Sequence, residues 1–61
     1  MNIKYSDNEV LITGNKEDLL EFAEYINKVA NSENEKDHLH LDDLTLIDSN
    51  SEVKNLIIEK A

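Results

Sequence analysis

Only one stretch of this chain has the period of a helix, and the remainder must be organised around it. Between residues 16 and about 32, Leu19, Phe22, Ala23, Ile26, Val29 and Ala30 recur at spacings of three and four, which places them on one helical stripe. Glu17, Glu21, Glu24 and Lys28 fall on the opposite face, with Glu24 and Lys28 forming a favourably oriented i,i+4 pair. Asn15 stands where an N-cap belongs, and Glu17 and Asp18 in the first turn suit the positive end of the helix dipole. An amphipathic helix must lie on something. In a chain of 61 residues that something has to be a sheet built from the two flanking segments.

Both flanks read as strand pairs. Ile3 and Tyr5 alternate with polar neighbours, Ser6-Asp7-Asn8 has turn chemistry, and Val10-Leu11-Ile12-Thr13 is rich in β-formers before Gly14 ends the second strand. After a polar connector from Asn31 to Asp37, Leu39 and Leu41 alternate with His38, His40 and Asp42. Asp42-Asp43 then breaks the phase. A bulge there would return Leu44 and Leu46 to the core face; alternatively the strand ends and residues 42–52 form a loop. Asp48-Ser49-Asn50-Ser51 is turn-forming, and Val53 to Glu59 reads as the last strand. The expected fold is therefore α+β, a single domain over residues 1–61 in the order β-β-α-β-β. The simplest closure is a four-stranded, largely antiparallel sheet with the helix packed on one face. The other face would carry His38, His40, Thr45, Ile47 and Ile57, and Ile47 with Ile57 is the expected homodimer face.

Composition limits what such a domain can do. There is no cysteine, which excludes disulfides and thiolate zinc sites and agrees with a cytoplasmic setting. Fourteen Asp and Glu against six Lys and Arg leave a formal charge of −8. That field repels phosphate backbones and anionic lipid, so neither nucleic acid nor a membrane is an expected partner, whereas a basic protein is. The same acidity also serves plain solubility. No signal peptide is expected at Met1, and the longest apolar run is three residues, as in Val10-Leu11-Ile12.

Chemistry has few places to sit. There is one glycine, hence no phosphate-binding loop, and Ser6, Ser32, Ser49 and Ser51 all fall in expected turns. The chain reads as a binding module rather than an enzyme, with no cofactor. Its most distinctive local feature is His38-Leu39-His40-Leu41-Asp42, which would align two imidazoles and a carboxylate on one side of a strand. Such a set can bind metal, but same-side positions lie about 6.5–7 Å apart along a strand, near the limit for sharing one ion. A small metal-binding protein using His38, His40 and Asp42 is therefore an alternative, and no metal is the expectation.

Three segments resemble a family of small bacterial immunity proteins encoded beside polymorphic toxins. Leu11-Ile12-Thr13-Gly14-Asn15 with Leu19 is similar to that family's strand, glycine and helix start. His38-Leu39-His40-Leu41-Asp42 resembles its signature of a histidine, an apolar residue and an aspartate. Leu56-Ile57-Ile58-Glu59-Lys60 looks like its terminal strand. The resemblance implies a non-catalytic neutraliser that binds a cognate toxin tightly in the cytoplasm. His38, His40, Asp42 and Asp43 are the expected partner-binding residues, with Glu17, Glu21 and Glu24 as the competing acidic surface. A structural or regulatory homodimeric subunit is the other reading.

Overall fold

The computed structural model describes residues 1–34 and 36–61; Glu35, within the expected connector, lies outside the described residues. Strands β1 (Asn2–Ser6) and β2 (Glu9–Thr13) pair antiparallel from Asn2↔Thr13 to Ser6↔Glu9. Asp7 and Asn8 join them with φ of 51° and 67°. Positive φ at both central residues is what a type I′ hairpin turn requires, and Asp and Asn are among the residues that tolerate it. Helix α1 (Lys16–Ala30) follows, and the Asn15 side chain accepts the Asp18 amide at 2.8 Å as its cap. Strands β3 (His38–Leu41) and β4 (Leu56–Glu59) pair antiparallel from His38↔Glu59 to Leu41↔Leu56. The class is α+β and the order β-β-α-β-β.

The expected single four-stranded sheet is instead two two-stranded sheets, β1–β2 and β3–β4. Asp42 is the reason β3 stops. Its carbonyl accepts the amides of Thr45 (3.0 Å) and Ile47 (3.2 Å), and its carboxylate accepts the Leu44 amide (2.9 Å) and the Thr45 hydroxyl (3.1 Å). These bonds wind the chain into a tight side-chain-capped turn, and Leu46 leaves it at φ 72°. Residues 42–52 are thus turn and loop, without the bulged strand that would have buried Leu44.

That loop also occupies the edge of β1 where a third strand would sit. The Asp48 amide donates to the Met1 carbonyl at 2.8 Å and the Val53 amide to the Ile3 carbonyl at 3.1 Å. Between them Ser51, almost fully buried, takes the Ile3 amide on its hydroxyl oxygen at 2.8 Å. Its one hydroxyl proton faces the Val53 carbonyl at 2.7 Å and the Ile3 carbonyl at 3.0 Å. A hydroxyl thereby completes a ladder that backbone alone leaves open.

The core gathers where this loop, the first hairpin and β3 meet. Met1, Ile3, Leu41 and Ile47 are buried together, with Ile12, Phe22, Tyr25, Leu39, Leu46, Val53 and Leu56 packed around them. Ile47, expected on an uncovered face, is 3% exposed and belongs to this core, because the turn at Asp42 carries it inward. The last strand begins at Leu56 and not Val53, since residues 51–53 are engaged with β1. The helix ends at Ala30, and its inward stripe is Asp18, Phe22, Tyr25 and Val29. Leu19 and Ile26, expected inside, are exposed. Two narrow sheets cover less of a helix than one broad sheet, and the helix turns so that Asp18 reaches the Met1 ammonium.

Candidate partner-binding surface

Alternation along β3 divides its side chains cleanly. Leu39 and Leu41 point inward with Ile58 and Leu56 opposite them, while His38 and His40 point outward opposite Glu59 and Ile57. The two imidazoles meet edge to face, 4.8 Å between centroids at 71°. Ile57 stands beside His40 with 58% of its surface exposed. His38, His40 and Ile57 thus share one open face as the alternation suggests.

Asp42 does not join them. Its carboxylate faces the turn, held by Leu44 and Thr45, and so does not complete a set of donors with the imidazoles. Among the described residues no group of three or more His, Asp or Glu is placed to hold a metal ion. Asp43 and Leu44 form the exposed tip of the turn. Leu44 is 92% exposed, the most exposed large apolar side chain described. Of the two readings open for residues 42–52, the bulge would bury Leu44 and the loop would not; the signal for the loop is the Asp42-x-Leu44-Thr45 spacing, in which Asp can cap the amide two residues on and pair with the hydroxyl three residues on.

The charges around this surface are organised by hydrogen bonds. The Ser32 hydroxyl and the His38 amide, with weaker attraction from His38 and Lys60, hold the Asp37 carboxyl below the usual range. On the far side of the turn the Met1 ammonium meets the Leu46 carbonyl (2.8 Å), Asp48 (2.9 Å) and Asp18 (3.4 Å). Burial works against its charge, but the hydrogen bonds and charges of Asp48 and Asp18 prevail and raise its pKa. Glu17, Glu21 and Glu24 are exposed on the helix exterior. Lys28 lies over the Tyr25 ring, 5.9 Å from its centroid, and makes no ion pair with Glu24 among those described. The described residues enclose no pocket. No described helix is long and apolar enough to cross a membrane.

Comparison with known proteins adds one finding. No curated protein and no solved structure matches the chain. A family profile described as Immunity protein 32 matches residues 9–61, from the start of β2 through β4 and beyond, and includes α1, the histidine strand and the Asp42 turn. The chain belongs to the Immunity protein 32 family.

Proposed function

We propose that this protein binds a cognate toxin in the cytoplasm and blocks it stoichiometrically, turning over no substrate. The observation that supports this interface is the open face shared by His38, His40 and Ile57, together with the Asp42-capped turn that exposes Asp43 and Leu44. Interface energy concentrates in a few apolar or aromatic anchors, while charges around them set encounter rate and orientation. A net charge of −8 favours a basic toxin surface. Asp42 acts here by holding Leu44 and Asp43 in place.

The test is titration of the toxin encoded beside the gene with purified protein, after co-expression has shown protection. Inhibition should be complete at one chain per toxin. Asp43→Lys should slow association several-fold at low salt and lose that effect at high salt, where screening shortens to a few Å. Leu44→Ala should speed dissociation about tenfold or more, as loss of an anchor does. If Glu17, Glu21 and Glu24 changes abolish protection and these do not, the helix exterior is the interface. Absence of any complex removes the immunity reading itself.

A further inference from the structure

The ladder between β1 and β2 leaves one edge of the first hairpin open. Ile3 directs its amide and carbonyl away from β2, to Ser51 and Val53. Its partner Ile12 is therefore a non-hydrogen-bonded pair position, and so is Val10 opposite Tyr5 two residues along. The amides and carbonyls of Val10 and Ile12 consequently point outward, and none of the hydrogen bonds among the described residues reaches them. The side chains along this edge are apolar and open, Val10 at 61% and Leu11 at 60% exposure. Exposed edges are normally blunted with lysine, proline, a bulge or a covering segment. Over Glu9–Thr13 the one charge is Glu9 at the strand's end, there is no lysine, proline or bulge, and no hydrogen bond among the described residues ties a covering segment to the edge.

We infer that β2 is the seam of a homodimer, in which two copies pair antiparallel about a two-fold axis at Leu11 to form one four-stranded sheet. The strand is self-complementary in that register. Val10 lies opposite Ile12 of the second copy, and both pairs exchange their outward amides and carbonyls. Glu9 lies opposite Thr13 of the second copy, so the strong net charge places no like charges face to face. Leu11 meets Leu11 of the second copy at a non-hydrogen-bonded position, where side chains come closest. The seam uses neither Ile47, which is in the core, nor Ile57, and it leaves the β3–β4 face free. It does not depend on the toxin-binding proposal.

The register can be read chemically because the chain has no cysteine of its own. A non-hydrogen-bonded antiparallel pair has Cα atoms about 4.5 Å apart, within disulfide range. Leu11→Cys should therefore form a covalent dimer under mild oxidation at least about tenfold faster than Leu44→Cys, whose thiol is more exposed but lies off the seam. Val10→Pro removes an outward amide without touching the β1–β2 ladder, so sedimentation equilibrium should show a dimer for the unaltered chain and a monomer for this variant. Unaltered chain that remains monomeric at millimolar concentration overturns the inference, as does Leu11→Cys crosslinking no faster than Leu44→Cys. A monomer whose toxin complex is lost on Val10→Pro overturns it too, and gives the edge to the toxin.

Discussion

Replacing Ser51 with Ala removes a single oxygen, yet it should cost this protein a large part of its stability. The hydroxyl is the acceptor for the Ile3 amide at 2.8 Å, and the serine is 2% exposed, so water cannot take its place. A buried donor left without an acceptor costs about 1–3 kcal/mol. The Ile3 carbonyl keeps the Val53 amide at 3.1 Å, and the half-buried Val53 carbonyl can turn to water, so the stranded amide dominates. We take about 2 kcal/mol. Domains hold about 0.05–0.15 kcal/mol per residue, which gives roughly 5 kcal/mol for a chain of this size. At about 4–8 °C per kcal/mol for small domains, Ser51→Ala should melt about 8–16 °C below the parent. Ser49→Ala, on the exposed side of the same loop, is the control and should melt with the parent. Circular dichroism melting at one dilute concentration keeps self-association out of the comparison. Hydrogen exchange at the Ile3 amide should accelerate in the same variant. A Ser51→Ala protein melting within about 2 °C of the parent would show that the hydroxyl does not close the β1 edge.

Ile3→Ala and Leu41→Ala each empty the centre of the core and should cost about 2–5 kcal/mol, enough to leave the chain largely unfolded in urea titrations. Ile26→Ala on the exposed flank of α1 should stay within about 1 kcal/mol of the parent; equal losses would mean the helix is rotated from the orientation seen. Because the Met1 ammonium has a raised pKa when folded, its contribution is fully present below the ordinary α-amino value of about 8 and is lost as pH rises through the folded value. Urea midpoints should therefore fall on the alkaline side, and Asp48→Asn should flatten that fall; an unchanged slope would refute the coupling. Asn8→Gly relieves a positive φ at the hairpin turn and should stabilise by about 0.5 kcal/mol, detectable as a higher melting temperature.

Local features were legible where their cause is local. The Asn15 cap, the Asp7-Asn8 turn and the His38–Leu41 alternation all depend on neighbouring residues, and each is found where the sequence places it. Much of what could not be read depends on distant partners. Nothing near Ser51 announces that its hydroxyl serves an amide 48 residues away. The inward stripe of α1 lies beside the expected one because Asp18, a charged residue, is drawn inward by the Met1 ammonium. Leu44 and Ile47 depart from the extended-strand reading for a local reason instead. A period of two predicts sides only while the chain is extended, and Asp42 ends that condition. The outward face of the histidine strand was legible as far as His38, His40 and Ile57, whereas the Leu44 tip was not.

The stitches that join Met1 and Ile3 to Leu46, Asp48 and Ser51 span 45 to 48 residues, and this fixes when folding can happen. A lone two-stranded hairpin is marginal in water, and so is a 15-residue helix with nothing beneath it. As the chain leaves the ribosome, the first hairpin and α1 emerge with no loop to close the edge of β1 and no Leu41 or Ile47 to pack against. Contacts this distant in sequence also slow folding, because a long loop must be ordered before any of them forms. The protein should therefore become structured late and in a single step. A nascent chain stalled before residue 46 has left the exit tunnel should be digested by protease as readily as an unfolded peptide.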